Sequence, residues 1–352
     1  MKLFTVGPVE MYPESRALGG KQDPYFRTQT FSNMMLEIER KFLKSVNAPQ
    51  GSRFAALTMS GTGAMEAAVS SVFTPEDKIL VIDGGSFGHR FAQICEIHRI
   101  PYQTIHLNFL QGFTAGMLAP FENQGFTGLL VNYCETSTGQ SYDLSILGDF
   151  CHRNGMYLIV DAVSAYLADS LDMQQQNVDL ILTASQKALA LAPGLSLVAA
   201  SPRVTEERIL KNHPNTLYLN LAGYFENQKR GQPPFTSAVS IVRMLAQRLD
   251  VIDQSGMRAV VAQHHKRAVY FRTKARQLGI MMPCYRLSNC CTPLIFPKGN
   301  AKQIYQYLSE KYGLVVTPSG GAQAEKELRV GHLGNLQLSD YDTLIDKMKE
   351  IL

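Results

Sequence analysis

The chain has 352 residues, of which 45% are hydrophobic and 18% are charged, and its formal net charge is +4. Such a length suits two domains of unequal size, and the composition is typical of soluble globular proteins. No dense run of Lys and Arg occurs, and the longest apolar stretch, residues 188–200, is interrupted by Pro193-Gly194, so neither nucleic acid nor a membrane is an expected partner.

Apolar runs of strand length alternate with segments of helical period over the first 200 residues. The pattern predicts helices at 32–46, 66–72, 89–98 and 144–153. It predicts strands at 54–59, 78–82, 102–106, 129–132, 157–160, 180–182 and 195–200. Such alternation is typical of an α/β fold, here a mainly parallel seven-stranded sheet between helices.

The pattern changes after about residue 250. It predicts helices at 257–277, at 301–312 and from residue 339, and strands at 294–296, 314–317 and 328–330. We therefore expect a large domain at 16–255, and a small α+β domain made of 1–15 and 256–352. Six cysteines without CxxC spacing and no signal-peptide pattern favour a reduced, cytoplasmic protein, and no metal site is predicted.

A glycine-rich turn follows the first predicted strand. Ser60, Gly61 and Thr62 join that strand to a helix, and backbone N–H groups at a helix N-terminus, together with hydroxyls, bind phosphate well. One alternative is a dinucleotide-binding turn with Asp83 as the ribose ligand, but Glu66 stands where that motif needs its third glycine. The other is a plain tight turn.

An acid and a lysine follow two other apolar strands. Asp161 ends the run at 157–160, and Lys187 comes shortly after 180–182, in the sequence Ser-Gln-Lys-Ala. In pyridoxal phosphate chemistry a lysine amine holds the cofactor aldehyde, and a carboxylate keeps the pyridine nitrogen protonated. Asp161 with Ser164 is also a plausible helix N-cap, and most lysines are solvated surface charges.

Three further segments could complete a site at the carboxyl ends of the strands. Phe87 follows two glycines and could lie flat against a planar cofactor, or it could pack into the core. Thr136 lies in a hydroxyl-rich loop, which alone is a generic turn. Arg329 could hold a substrate carboxylate with two hydrogen bonds, or it could pair with Glu325 or Glu327.

Taken in order, these motifs resemble one family over nearly the whole chain, from Val6-Gly7-Pro8 to Arg329-Val330-Gly331. The family is the class V pyridoxal-phosphate aminotransferases of fold type I. The branch is that of the alanine–glyoxylate, serine–pyruvate and 2-aminoethylphosphonate–pyruvate aminotransferases. The resemblance implies pyridoxal 5′-phosphate as cofactor and a homodimer with its site at the subunit interface.

The resemblance also implies a role for each motif residue. Lys187 would bind the cofactor covalently and move the substrate proton, and Asp161 would pair with the pyridine nitrogen. Gly7 and Arg329 would contact the substrate. The other expected cofactor contacts are Phe87 and Val163 on the two ring faces, Thr136 at the ring hydroxyl, Ser60, Gly61, Thr62 and Gln186 at the phosphate, and Thr236 from the neighbouring subunit.

The expected activity is transfer of an amino group from a small amino acid or aminoalkylphosphonate to pyruvate or glyoxylate by a ping-pong mechanism. A lyase or desulfurase of the same fold is the nearest alternative, but that branch usually has a histidine where Gln186 stands. A nicotinamide-dependent oxidoreductase is a further alternative, which Glu66 disfavours. Near Thr236 the chain has Pro233 and Pro234 in place of a phosphate-binding tyrosine of close relatives. The amino donor is left open.

Overall fold

The computed structural model describes residues 1–352, and its centre is a seven-stranded sheet. The strands in chain order are β1 (Arg53–Leu57), β2 (Ile79–Asp83), β3 (Tyr102–His106), β4 (Gly128–Asn132), β5 (Tyr157–Asp161), β6 (Leu180–Ala184) and β7 (Ser196–Ala200). Their order across the sheet is β1-β7-β6-β5-β4-β2-β3. Only β7 runs antiparallel to its neighbours, so the sheet is mainly parallel, as the sequence predicts.

Most strands of this sheet are buried on both faces. Side chains alternate along each strand, so Leu129 and Val131 of β4 enter one apolar cluster and Leu130 enters another on the opposite face. Only the edge strand β3 has several exposed positions. Continuous apolar runs are the expected sequence of such strands, because helices cover a mainly parallel sheet on both sides.

The helices vary widely in length, and none is long and apolar enough to cross a membrane. Short 3₁₀ or π-type turns occur at Ala115–Phe121, Thr205–Ile209, Tyr307–Lys311 and Gly321–Gln323. The α-helices are Pro13–Gly19, Gln29–Ser45, Gly61–Val72, Ser86–Ile97, Leu144–Arg153, Pro202–Val204, Leu221–Gln228, Val239–Ser255, Met257–Gln277, Ala301–Gln306 and Leu338–Lys349.

A separate apolar cluster joins the two ends of the chain. Phe4 from the N-terminal segment packs there with Phe271, Leu294 and Leu328. The segment Lys2–Leu3 pairs in parallel with Leu314–Val315. On this basis we retain residues 1–15 and 256–352 as a proposed small domain, with 16–255 as the large one.

The smaller sheets consist of short strands. One has three antiparallel strands and supplies Arg329. Another, directly after β4, is a hairpin of two strands with two residues each. Their strands are Cys291–Ile295, Glu327–Gly331 and Thr317–Pro318 for the first, and Cys134–Glu135 and Gln140–Ser141 for the second.

Several element bounds differ from those predicted. The helix expected at 66–72 begins five residues earlier, at Gly61, and the strand expected at 314–317 is two short strands. Four α-helices are not predicted from the sequence, at Pro13–Gly19, Pro202–Val204, Leu221–Gln228 and Val239–Ser255. The last of these carries Val242, Leu245, Leu249 and Ile252 on one buried stripe, so a helical signal was present in the sequence.

Candidate active site

Ten of the predicted site residues line one cavity of about 350 Å³, which we call the lysine cavity. It lies where β5 and β6 end, the edge at which parallel sheets collect ligands. The predicted residues that line it are Gly7, Ser60, Gly61, Thr62, Phe87, Thr136, Asp161, Val163, Gln186 and Lys187.

Lys187 follows the end of β6, and only 8% of its surface is exposed. Its Nζ donates a hydrogen bond of 2.7 Å to the backbone oxygen of Val6. Burial lowers the pKa of the Lys187 ammonium, because the charged form loses its water. A buried lysine with a lowered pKa has access to its neutral, nucleophilic form.

Gly7 lies directly against Lys187. Its φ is +130°, and a Cβ built there would come within 2.5 Å of Lys187 Cδ and 2.7 Å of Cε. Both the backbone conformation and the space therefore require glycine. The N-terminal segment thus holds Lys187 from one side, with Val6 as its hydrogen-bond acceptor and Gly7 as its packing partner.

We expect Gly7→Ala to lower the free energy of unfolding by about 2–4 kcal/mol, since overpacking adds to backbone strain. Urea unfolding would measure the loss. Gly194→Ala is the matched control, because Gly194 has nearly the same φ (+127°) but its would-be Cβ meets only Ile241 Cδ1, at 3.1 Å. Equal losses in the two variants would contradict the contact with Lys187.

Asp161 is the last residue of β5, is buried and lines the lysine cavity. Its carboxylate accepts hydrogen bonds from Asn132 Nδ2 at 2.6 Å and from the Val163 N–H at 2.7 Å. Burial raises the pKa of Asp161 to about 6, although these two donors and Lys187 act in the opposite direction. A buried carboxylate of this kind is suited to face a cationic ring nitrogen.

The loop after β4 supplies a hydroxyl pair and a buried acid. Thr136 Oγ1 and Ser164 Oγ lie 2.5 Å apart. Glu135 is fully buried and accepts hydrogen bonds from the N–H groups of Phe87 and Gly88, at the start of the helix Ser86–Ile97. Glu135 therefore fixes Phe87 at the cavity wall, because a carboxylate is stabilised at a helix N-terminus.

The helix Gly61–Val72 opens at the cavity with its first N–H groups free of side-chain caps. Ser60, Thr62 and Gln186 surround this end, and Gln186 Oε1 is buried without a hydrogen-bond partner. Arg90 Nη1 donates a hydrogen bond of 2.9 Å to Thr62 Oγ1. Uncapped N–H groups, hydroxyls and a guanidinium together form an anion-binding end.

Arg329 lines an adjoining cavity of about 430 Å³, which we call the arginine cavity. The two cavities adjoin through consecutive residues, since Thr136 lines the first and Ser137 the second. Arg329 Nη1 donates to the Thr136 oxygen at 2.8 Å, and Nη2 donates to the Pro318 oxygen at 3.1 Å. No ion pair joins it to Glu325 or Glu327, so most of its N–H groups stay available.

Thr236 is the predicted site residue that this chain does not bring to either cavity. It is exposed, next to Phe235, whose ring stacks on Tyr218 at a centroid distance of 5.0 Å. Ala238 N and Tyr218 Oη both bond to Thr58, two residues before Ser60. The segment therefore lies close to the glycine-rich turn, while Thr236 itself is exposed and lines neither cavity.

Two polar residues at the site are missing from the sequence-based set: Arg90, which lines the lysine cavity, and Asn132, which bonds to Asp161 without lining the cavity. Asn132 ends β4 and lies beside Asp161 in the strand register, where it donates to the carboxylate. Arg90 lines the lysine cavity three residues after Phe87, with its guanidinium carbon 4.8 Å from that ring's centroid. Helical spacing places residues i and i+3 on one face, so Arg90 could have been inferred once the helix start was known.

Comparison with known proteins identifies a family and several relatives of this chain. The model of the family described as aminotransferase class-V matches residues 10–330. An uncharacterized aminotransferase of Methanocaldococcus jannaschii is 30% identical, over 94% of this chain and 87% of its own. A soluble hydrogenase 42 kDa subunit of Anabaena cylindrica is 27% identical, over 100% of this chain and 93% of its own. The word hydrogenase describes that relative alone.

Solved structures resemble the whole chain. An aspartate aminotransferase of subgroup IV from Thermus thermophilus superposes with a TM-score of 0.92. It is 25% identical, and the match covers 100% of both chains. The shared architecture therefore includes both the central sheet and the segment that carries Arg329.

Proposed function

Because the chain belongs to the class V aminotransferase family and is a pyridoxal-phosphate-dependent transaminase, we propose that it moves an amino group from a small amino acid or aminoalkylphosphonate to pyruvate or glyoxylate. The observation that carries this proposal is that Lys187 and Asp161 are both buried and line the same cavity. A lysine and a carboxylate in that arrangement serve the aldehyde and the ring nitrogen of this cofactor.

The residues of the lysine cavity fit pyridoxal phosphate chemically. Asp161 is a buried carboxylate with a raised pKa, and a protonated ring nitrogen would stabilise its charge. Gln186 lines the same cavity, where its amide NH₂ group could donate to a phosphate oxygen. Lys187 would hold the cofactor covalently, Phe87 and Val163 would flank its ring, Thr136 would meet its hydroxyl, and Ser60, Gly61, Thr62 and Gln186 would hold its phosphate, with Arg90 adding positive charge there.

When bound, the cofactor supplies an electron sink for the substrate carbanion. The chain supplies the proton transfer. Lys187 Nζ would take the proton from the substrate Cα as a neutral amine, which its lowered pKa favours, and would deliver it within the same half-reaction to the carbon to which the lysine had been joined. With the acceptor, Lys187 would move a proton in the reverse direction. Asp161 would remain ionised beside the ring nitrogen, and Arg329 would orient the substrate carboxylate with its free N–H groups.

We further propose a ping-pong order, a homodimer and a cytoplasmic location. One binding region for donor and acceptor in turn suits a ping-pong order, since the 2-oxo acid acceptor and any amino-acid donor each carry a carboxylate for Arg329. The homodimer would bring Thr236 of the partner subunit to the cofactor phosphate. Its exposed position in this chain, beside the segment that contacts Thr58, is compatible with that role.

The visible absorbance of the purified protein with added pyridoxal phosphate tests the proposed activity. We expect one or more of alanine, serine, glutamate, aspartate and 2-aminoethylphosphonate to convert the aldehyde form of the bound cofactor to the amine form. Pyruvate or glyoxylate should then reverse the change. A bound cofactor that no amine converts would point to the lyase alternative, and absence of binding would contradict the role of Lys187.

A further inference from the structure

Two charged side chains point into the arginine cavity from one strand. Glu327 and Arg329 are two residues apart in Glu327–Gly331, and both line the cavity. Residues i and i+2 of a strand share a face, so a ligand held by Arg329 also meets Glu327. Arg329 donates to backbone oxygens of Thr136 and Pro318 and makes no ion pair with Glu327.

Glu327 is a buried acid without a strong partner. Only 2% of its surface is exposed, and burial raises its pKa to about 7, although Arg329 and the nearby Ser319 hydroxyl lower it. An acid in such a place is costly unless something compensates for it. A structural role in packing would be served as well by an uncharged residue of the same size.

The same cavity holds a second acceptor that lacks a donor. Gln323 Oε1 is buried without a hydrogen-bond partner, and Arg329 Nε is a buried donor without one. The wall therefore offers acceptors at Glu327 and Gln323 beside a guanidinium. A ligand that satisfies this wall needs a carboxylate for Arg329 and, on another part of the molecule, a hydrogen-bond donor.

We propose that Glu327 determines the amino donor: the enzyme prefers amino acids whose side chains carry a hydroxyl, amide or amine, and it disfavours those with anionic side chains. The inference rests on the proposed transaminase function. A volume of about 430 Å³ leaves room for such a side chain next to Arg329. Anionic side chains would meet the Glu327 carboxylate and lose affinity by charge repulsion.

The test compares Glu327→Gln and Glu327→Leu with the wild-type holoenzyme at pH 8, where Glu327 is ionised. Values of kcat/KM for serine, asparagine, 2,3-diaminopropionate and aspartate are each divided by that for alanine, whose side chain is apolar. We expect Glu327→Gln to raise the aspartate ratio and lower the diaminopropionate ratio, each by roughly tenfold or more. Glu327→Leu should lower the serine and asparagine ratios as well.

Glu325→Gln is the matched control, because it removes the same charge from an exposed neighbouring position. Dissociation constants of 2-methylserine and 2-methylaspartate, measured by calorimetry, give a readout without turnover, since these analogues lack the proton that transamination removes. Ratios within about twofold of wild type in both Glu327 variants, or equal losses for every donor including alanine, would overturn the inference.

Failure of the proposed function gives a different result. In that case the wild-type protein transfers an amino group from none of these donors. The calorimetric comparison then still decides the role of Glu327, because tighter binding of 2-methylaspartate to Glu327→Gln than to wild type supports it and equal binding overturns it.

Discussion

Replacing Lys187 with alanine is expected to lower transamination by at least about 10⁴-fold. The variant loses both the amine that holds the cofactor and the base that moves the substrate proton. No other lysine lines the lysine cavity, so none can take over either role. Cofactor held by non-covalent contacts can stay bound, which makes turnover the decisive measurement.

Borohydride reduction followed by peptide mass analysis gives a second readout. The reagent fixes the cofactor to the lysine that carries it, so wild-type protein should show the added mass on the peptide containing Lys187 and the variant should show none. Lys211→Ala is the control, because Lys211 is exposed and lines neither cavity. Repeated turnover by Lys187→Ala would refute the assignment.

The sequence predicts the parts of the site that follow from one strand and the turn after it. Asp161 and Lys187 each lie at or just past the end of a continuous apolar run, and parallel strands bring such ends to one edge. The Ser60 turn could be interpreted as an anion site for the same reason, since its residues are consecutive. Local sequence is enough in these cases because the chemistry depends on neighbours along the chain.

The rest depends on which strands become neighbours in space. Asn132 reaches Asp161 because β4 lies next to β5, and the sequence order of strands does not specify that pairing. The contact of Gly7 with Lys187 joins residues 180 positions apart. Only the folded structure shows that a side chain at position 7 would collide with Lys187. The sequence suggests Glu327 only as an ion-pair partner of Arg329, since a strand pattern does not reveal a cavity beside it.

Asp161→Asn is expected to lower transamination by about 10²–10³-fold while stabilising the cofactor-free protein near neutral pH. The amide cannot carry the negative charge that keeps the ring nitrogen protonated, and so the cofactor becomes a weaker electron sink. Cofactor affinity should fall as well. The losses of activity and of cofactor affinity both follow from the lost charge alone, since Asn and Asp have nearly the same shape.

The stability effect has a defined pH range. The pKa of Asp161 is raised from 3.8 to about 6 in the folded protein, so the unfolded chain releases its proton at lower pH than the folded one. Stability from this group is therefore complete below pH 3.8 and is lost as pH rises to about 6. At pH 7 this loss in the free energy of unfolding is on the order of 3 kcal/mol. The Asp161→Asn variant does not ionise at this position and so avoids the loss, although one of its hydrogen bonds is weaker.

Urea unfolding of the cofactor-free proteins at pH 4 and pH 7 would measure this difference. Wild type should lose more stability than Asp161→Asn between the two pH values. Asp169→Asn is the matched control, because Asp169 is also buried with a pKa raised to about 6 but lines neither cavity. That control should share the stability change and keep its activity. If Asp161→Asn also kept its activity, the carboxylate would have no role at the ring nitrogen, and its burial would be a matter of folding alone.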